Sequence, residues 1–265
     1  DIHIEASSTN KEMMEKTFDR IKVTDAQSGN KISFKTSHGD ENEKNEKSYS
    51  CDNCNSNMSV DYEIHMPANN PLNISNSFGS IVIPDYNGAV SLNCQFGSLT
   101  AGKLQKVDKL EVGFGKADLK YLNNVDVTFK FSKINVDVLA GACKVDIEFC
   151  SFSKFNLAGD LSSLQLTNSY STVNLRPAAN FSATYSISTS FGSLVDRSSI
   201  GIKRTDDPDQ YGPDSEKTYE GKAGSGSARI NASSSFGKII IGDATAEDMK
   251  EKKDNKDKVK NKTVI

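Results

Sequence analysis

Two aspartates offer the clearest opening for chemistry. Asp126 and Asp146 each follow a valine in similar alternating runs, Val125-Asp126-Val127 and Val145-Asp146-Ile147. If those runs stack as neighbouring strands, the carboxylates lie about 5 Å apart. Such a pair can raise a pKa, hold a cation or carry out acid/base work on an acidic polysaccharide. The same residues also read as solvent positions alternating with core Val and Ile, with Lys130 and Lys144 on the same polar phase, and this reading is preferred. A second set, Lys116, Lys133, Lys154 and Lys238, shares a repeat position with Ser80, Ser98 and Ser193. As a ladder these lysines would bind an acidic glycan; singly they give solubility and protect sheet edges, which is the default for outward lysines.

The other reactive residue types are sparse. Cys51-Asp52-Asn53-Cys54 lies in a polar loop. No second Cys or His pair at matching spacing completes a zinc site, and no βαβ context suggests redox work, so Cys51 and Cys54 read as a local disulfide or idle thiols. Cys94, Cys143 and Cys150 read as small core residues. His3, His38 and His65 form no triad by spacing. No Gly-x-Gly-x-x-Gly or P-loop appears. Neither a catalytic residue, a cofactor nor a metal is expected, and the chain reads as a non-enzyme.

The elements that position these residues come from a repeat: an aromatic, a small residue, then Ser, Lys or Thr, then usually an apolar residue. It is read at Phe78, Phe96, Phe114, Phe131, Phe152, Tyr170, Phe191 and Phe236, in steps of 18, 18, 17, 21, 18, 21 and 45 residues. A period this short marks stacked structural units. Within each unit the apolar residues alternate, as in Val125 to Phe131, which specifies strand. The fold class is therefore all-β: a single-stranded parallel β-solenoid, β-helix-like, with short coils of about 18 residues. The aromatics are expected to form an internal ladder. The small residue after each is Gly five times and Ser three times, which argues for a crowded position over a left-handed turn. The 21-residue step from Phe131 predicts a β-bulge near Cys150, with the remaining insertion at the Leu139–Ala142 corner.

Organisation follows the repeat. Residues 1–57 are an irregular region of capping coils, with Lys11 to Lys16 as a short helix and a hydrophilic loop from Ser37. Residues 58–242 are the solenoid, forming one domain with the first region, and 243–265 are a charged, solvated tail. An excursion at 203–228, rich in charge, Gly, Pro and Ser, reads as a long loop or a hairpin around Tyr219. The net charge of −3 and pI near 5.7 give no basic footprint for nucleic acid. No apolar run approaches the roughly 20 residues of a membrane span, and the start does not read as a signal peptide.

The run Tyr62-Glu63-Ile64-His65-Met66-Pro67, with Leu72 to Ile81 and the recurring Phe-Gly-Ser/Lys units, resembles the bacterial adhesin-type domains of unknown function called toastrack domains. The resemblance covers about residues 58 to 242. It implies a parallel β-solenoid in an exported or envelope-associated bacterial protein, its signal peptide removed. The implied role is a noncatalytic binding module with a surface protein or glycan as partner, and the resemblance carries over no catalytic residue. An envelope scaffold with the 203–228 excursion as partner site is a further alternative.

Overall fold

The computed structural model describes residues 1–8, 15, 18–38, 56–207 and 215–249, in two compact units, Asp1–Met66 and Pro67–Ile265. Cys51 and Cys54, the short helix expected at Lys11–Lys16 and residues 250–265 of the tail lie outside the described residues, apart from Glu15.

The first unit is antiparallel. Strand β1 (Ile2–Ser8) pairs with β4 (Ser56–Tyr62), and β2 (Ile21–Ser28) with β3 (Lys31–His38). Gly29 takes a φ of 59° in the two-residue β2–β3 connection, as a tight hairpin requires. The hydroxyls of Thr36 and Tyr62 hydrogen-bond to each other. The alternation at Met58–Tyr62 is thus a real strand, but it belongs to this unit and not to the solenoid. Period two specifies a strand and leaves its partner open.

The solenoid begins at Leu72. In chain order its strands are β5 (Leu72–Asn76), β6 (Gly79–Ile83), β7 (Tyr86–Gln95), β8 (Gly97–Gly113), β9 (Lys116–Asn123) and β10 (Asp126–Lys130). They continue with β11 (Lys133–Glu148), β12 (Phe152–Ser169), β13 (Thr172–Pro177), β14 (Ala183–Ser190) and β15 (Ser193–Arg197). The last are β16 (Lys203–Arg204), β17 (Glu216–Ala223), β18 (Ala228–Ser235) and β19 (Lys238–Gly242). One parallel sheet runs β5-β7-β8-β10-β11-β12-β18-β14, and the other runs β6-β8-β9-β11-β12-β13-β19-β15. The long strands β8, β11 and β12 bend through both. Each coil therefore crosses two sheets and turns at two corners.

Alternation puts one apolar set inside. Leu92, Leu110, Val127, Val145, Leu166, Ala232 and Ile187 stack in register on one sheet. Ile81, Leu99, Ala117 and Ile134 do so on the other. All are buried, and the three described cysteines, Cys94, Cys143 and Cys150, are buried free thiols. Burying a large aliphatic side chain contributes about 1.5–3 kcal/mol, so these columns carry the fold.

Chain order and stacking order diverge at the C-terminal end. The coil formed by β18 and β19 inserts between β12/β13 and β14/β15. β17 then lies antiparallel on β14, and β16 on β17 with Arg204 opposite Tyr219. The described part of the 203–228 excursion is thus a strand pair that covers a sheet edge, as exposed edges demand. The first residues of the expected solvated tail are also anchored. Asp248 receives Arg197 at 2.6 Å and Lys238 at 3.3 Å, and accepts from Thr245. These donors hold its carboxyl well below the usual carboxylate range.

Candidate functional site

At one corner every coil after the first places an aromatic in the left-handed region. Phe96, Phe114, Phe131, Phe149, Tyr170, Phe191 and Phe236 have φ between 49° and 54°. A side chain there costs about 1–2 kcal/mol, which glycine would avoid. The rings offset this by stacking. Neighbouring centroids are 4.6–5.0 Å apart from Phe96 onward, with planes within 9° of parallel. Each such contact contributes about 0.5–1.5 kcal/mol beyond burial. At the first coil Gly79 takes the positive φ, at 112°, in place of the ring. Phe78 stacks less closely, 5.4 Å from Phe96 and tilted 17°.

The ladder is on the surface. Its rings are 46–58 % exposed, and Phe78 is 77 % exposed. This corrects the expectation of an internal aromatic ladder. A left-handed residue at a corner directs its side chain away from both sheets, and alternation does not extend through the turn. A second correction concerns membership. Phe149 occupies the rung between Phe131 and Tyr170, whereas Phe152 is 5 % exposed and lies opposite Lys133 and beside the interior. Phe149 was legible as the residue that keeps the step from Phe131 at 18; the motif's Ser-Lys ending at Phe152 obscured it. In space the order is Phe78, Phe96, Phe114, Phe131, Phe149, Tyr170, Phe236, Phe191, the last two reversed by the inserted coil.

The small residue after each ring lies in a crowded column. A Cβ on Gly97 would come 1.8 Å from the Gly79 carbonyl oxygen, and one on Gly115 would come 1.9 Å from that of Gly97. At mid-stack the column is Ser132, Cys150 and Ser171, and its side chains bond in sequence. Gly115 N–H donates to Ser132 Oγ, which donates to the Lys130 carbonyl at 2.7 Å. Ser132 N–H donates to Cys150 Sγ, and Cys150 N–H donates to Ser171 Oγ at 2.8 Å. Burial pushes the Cys150 thiol up, so it stays protonated and donates to carbonyl oxygens. The extra residue at Ser151 is the bulge expected near Cys150: Ser132 aligns with Cys150, but Lys133 with Phe152. The other two extra residues are a net gain at the opposite corner: one is lost between Phe155 and Leu157, and three are gained where Leu139, Gly141 and Ala142 pair with Leu157, Leu161 and Ser163. They belong to the coil after the expected one.

The chain matches no family model, no curated protein and no solved structure.

The candidate chemical residues do not assemble. Asp126 pairs in register with Lys144, and Asp146 with Thr128, so the two carboxylates are not at equivalent positions. Lys144 Nζ sits between them, 3.4 Å from Asp126 and 3.1 Å from Asp146, and ion-pairs with both. The lysine column also breaks: Lys154 aligns with Asn135, while Phe152 takes the position beside Lys133. Lys116 and Lys238 are ion-paired to Asp118 and Asp248. Among the described residues the group with metal-ligand spacing is Asp1, Glu63 and His65; all three are exposed and His65 pairs with Glu63 at 3.2 Å.

Proposed function

We propose that this protein is a noncatalytic binding module, exported and working at the bacterial cell envelope, that engages its target through the aromatic corner. The carrying observation is the exposed ladder itself. Eight rings about half exposed present on the order of 800 Å² of apolar surface, above the few hundred Å² a monomer ordinarily leaves open. The envelope location rests on the resemblance to toastrack domains.

The geometry favours a protein over a glycan as target. Sugars stack on ring faces, and here each interior ring's faces are covered by its neighbours, so only edges are offered. The test is binding of the wild-type chain and of F114N/F131N/F149N to arrayed surface and matrix proteins and glycans. Asn accepts the left-handed corner with little strain, so the fold should survive. Binding to a protein target that the variant loses is the expected result. No binding to any arrayed component, a spotted copy of this chain included, or fractionation confining the protein to the cytosol, would sink the reading.

A further inference from the structure

We infer that the occupant of the aromatic corner is a second copy of the same chain, docked antiparallel about a two-fold axis between the Phe131 and Phe149 rungs. The inference rests on the binding-module reading and names the partner.

Area and period argue for it. The apolar strip matches the roughly 800 Å² that each partner contributes to a standard interface. A second copy presents the same rung spacing of about 4.8 Å over seven intervals, so rungs that meet at one point meet along the whole ladder. A two-fold arrangement lets one self-complementary patch serve both copies.

Charge selects the orientation. The residue before the ring is charged at two rungs: Lys130 before Phe131, and Glu148 before Phe149. These rungs, the fourth and fifth of eight, flank the ladder's midpoint, and Lys130 Nζ lies 2.9 Å from Glu148 within one chain. An antiparallel, in-register dimer sets Lys130 opposite the second copy's Glu148, and Glu148 opposite its Lys130. On the other flank, lysines stand two residues after the ring at the third, fourth and seventh rungs, as Lys116, Lys133 and Lys238. Antiparallel pairing sets these against Thr172, Phe152 and Ser98, so no lysine meets a lysine. A parallel in-register pair would instead put Lys130 against Lys133, a like-charge contact.

Sedimentation across a concentration series tests the proposal, with K130E and E148K measured singly and mixed. Wild type should dimerise. Each single variant should weaken dimerisation about tenfold or more, since it places like charges across the axis. An equimolar mixture should form a heterodimer at near wild-type affinity, because both cross-axis contacts become attractive again. The mixture cannot repair the pair inside each chain, so recovery distinguishes an intermolecular contact from a structural one. F114N/F131N/F149N, folded by thermal unfolding, should be monomeric. A wild-type chain monomeric up to about 100 µM, or a mixture no better than its components, overturns the proposal. If the monomer still binds an arrayed target through the ladder, the binding-module reading stands without the second copy. If the monomer instead binds anionic lipid vesicles and the ladder variant does not, a membrane is the occupant and the dimer is overturned.

Discussion

The two corners of each coil solve the same turning problem in opposite ways. At the aromatic corner every coil after the first uses one device: a left-handed ring over a small residue. The opposite corner changes from coil to coil. Asp85 Oδ1 accepts from Lys103 N–H at 2.7 Å in one, and Asn124 Oδ1 from Ala142 N–H at 2.8 Å in another, beside Gly141 at φ 69°. Gly159 stands in open space. A corner stabilised by contacts between coils must keep its register, because each ring needs the next about 4.8 Å away. A corner whose hydrogen bonds between coils differ from step to step, as Asp85–Lys103 and Asn124–Ala142 do, can absorb extra residues.

Glycine substitutions should separate the two corners most sharply. Gly115→Val places side-chain atoms where the Gly97 carbonyl already lies, and should cost more than about 3 kcal/mol in denaturant unfolding or prevent folding. Next in size, Ser171→Ala removes the acceptor of the buried Cys150 N–H and should cost about 1–3 kcal/mol. Replacing one ring, as in Phe131→Asn, exchanges two stacking contacts for relief of left-handed strain. The net loss should be about 1 kcal/mol, read as a lowered denaturation midpoint. Gly159→Ala on the opposite corner should change stability by less than about 0.5 kcal/mol. A Gly159 effect as large as that of Gly115 would erase the distinction.

A pH titration addresses a contact outside both corners. Asp248's folded pKa is depressed, so its contribution is present above the unfolded value of about 3.9 and is lost as pH falls below that toward the folded one. Wild type should be more stable than Asp248→Asn at pH 6. The two stability curves should converge as the pH drops below about 4; a constant gap would show that the carboxylate's charge is not what anchors residues 243–249.

The sequence made the coil legible because period-two alternation and an 18-residue repeat are local signals. It also made the crowding legible, since Ser at 132 and 171 is incompatible with an obligatory glycine conformation. Which side of the wall the rings occupy was not legible. That depends on a single dihedral at each corner, and Phe in a repeat reads equally as core or rim. The site at Phe149 was hidden because Phe152-Ser153-Lys154 repeats the motif three residues later, just past the one-residue bulge at Ser151. The antiparallel pairing of Ser56–Tyr62 with Ile2–Ser8 is a contact between distant segments, and strand alternation carries no record of it.

The position of β18 and β19 has a consequence for biogenesis. A ribosome delivers residues 183–197 before residues 228–242, yet the later coil supplies the surface on which the earlier one rests. The N-terminal coils can add one upon another as they emerge, each on a finished predecessor. Residues 183–197 must wait for the segment that lies between them and the rest of the stack, so this end of the solenoid closes only after synthesis has passed residue 242.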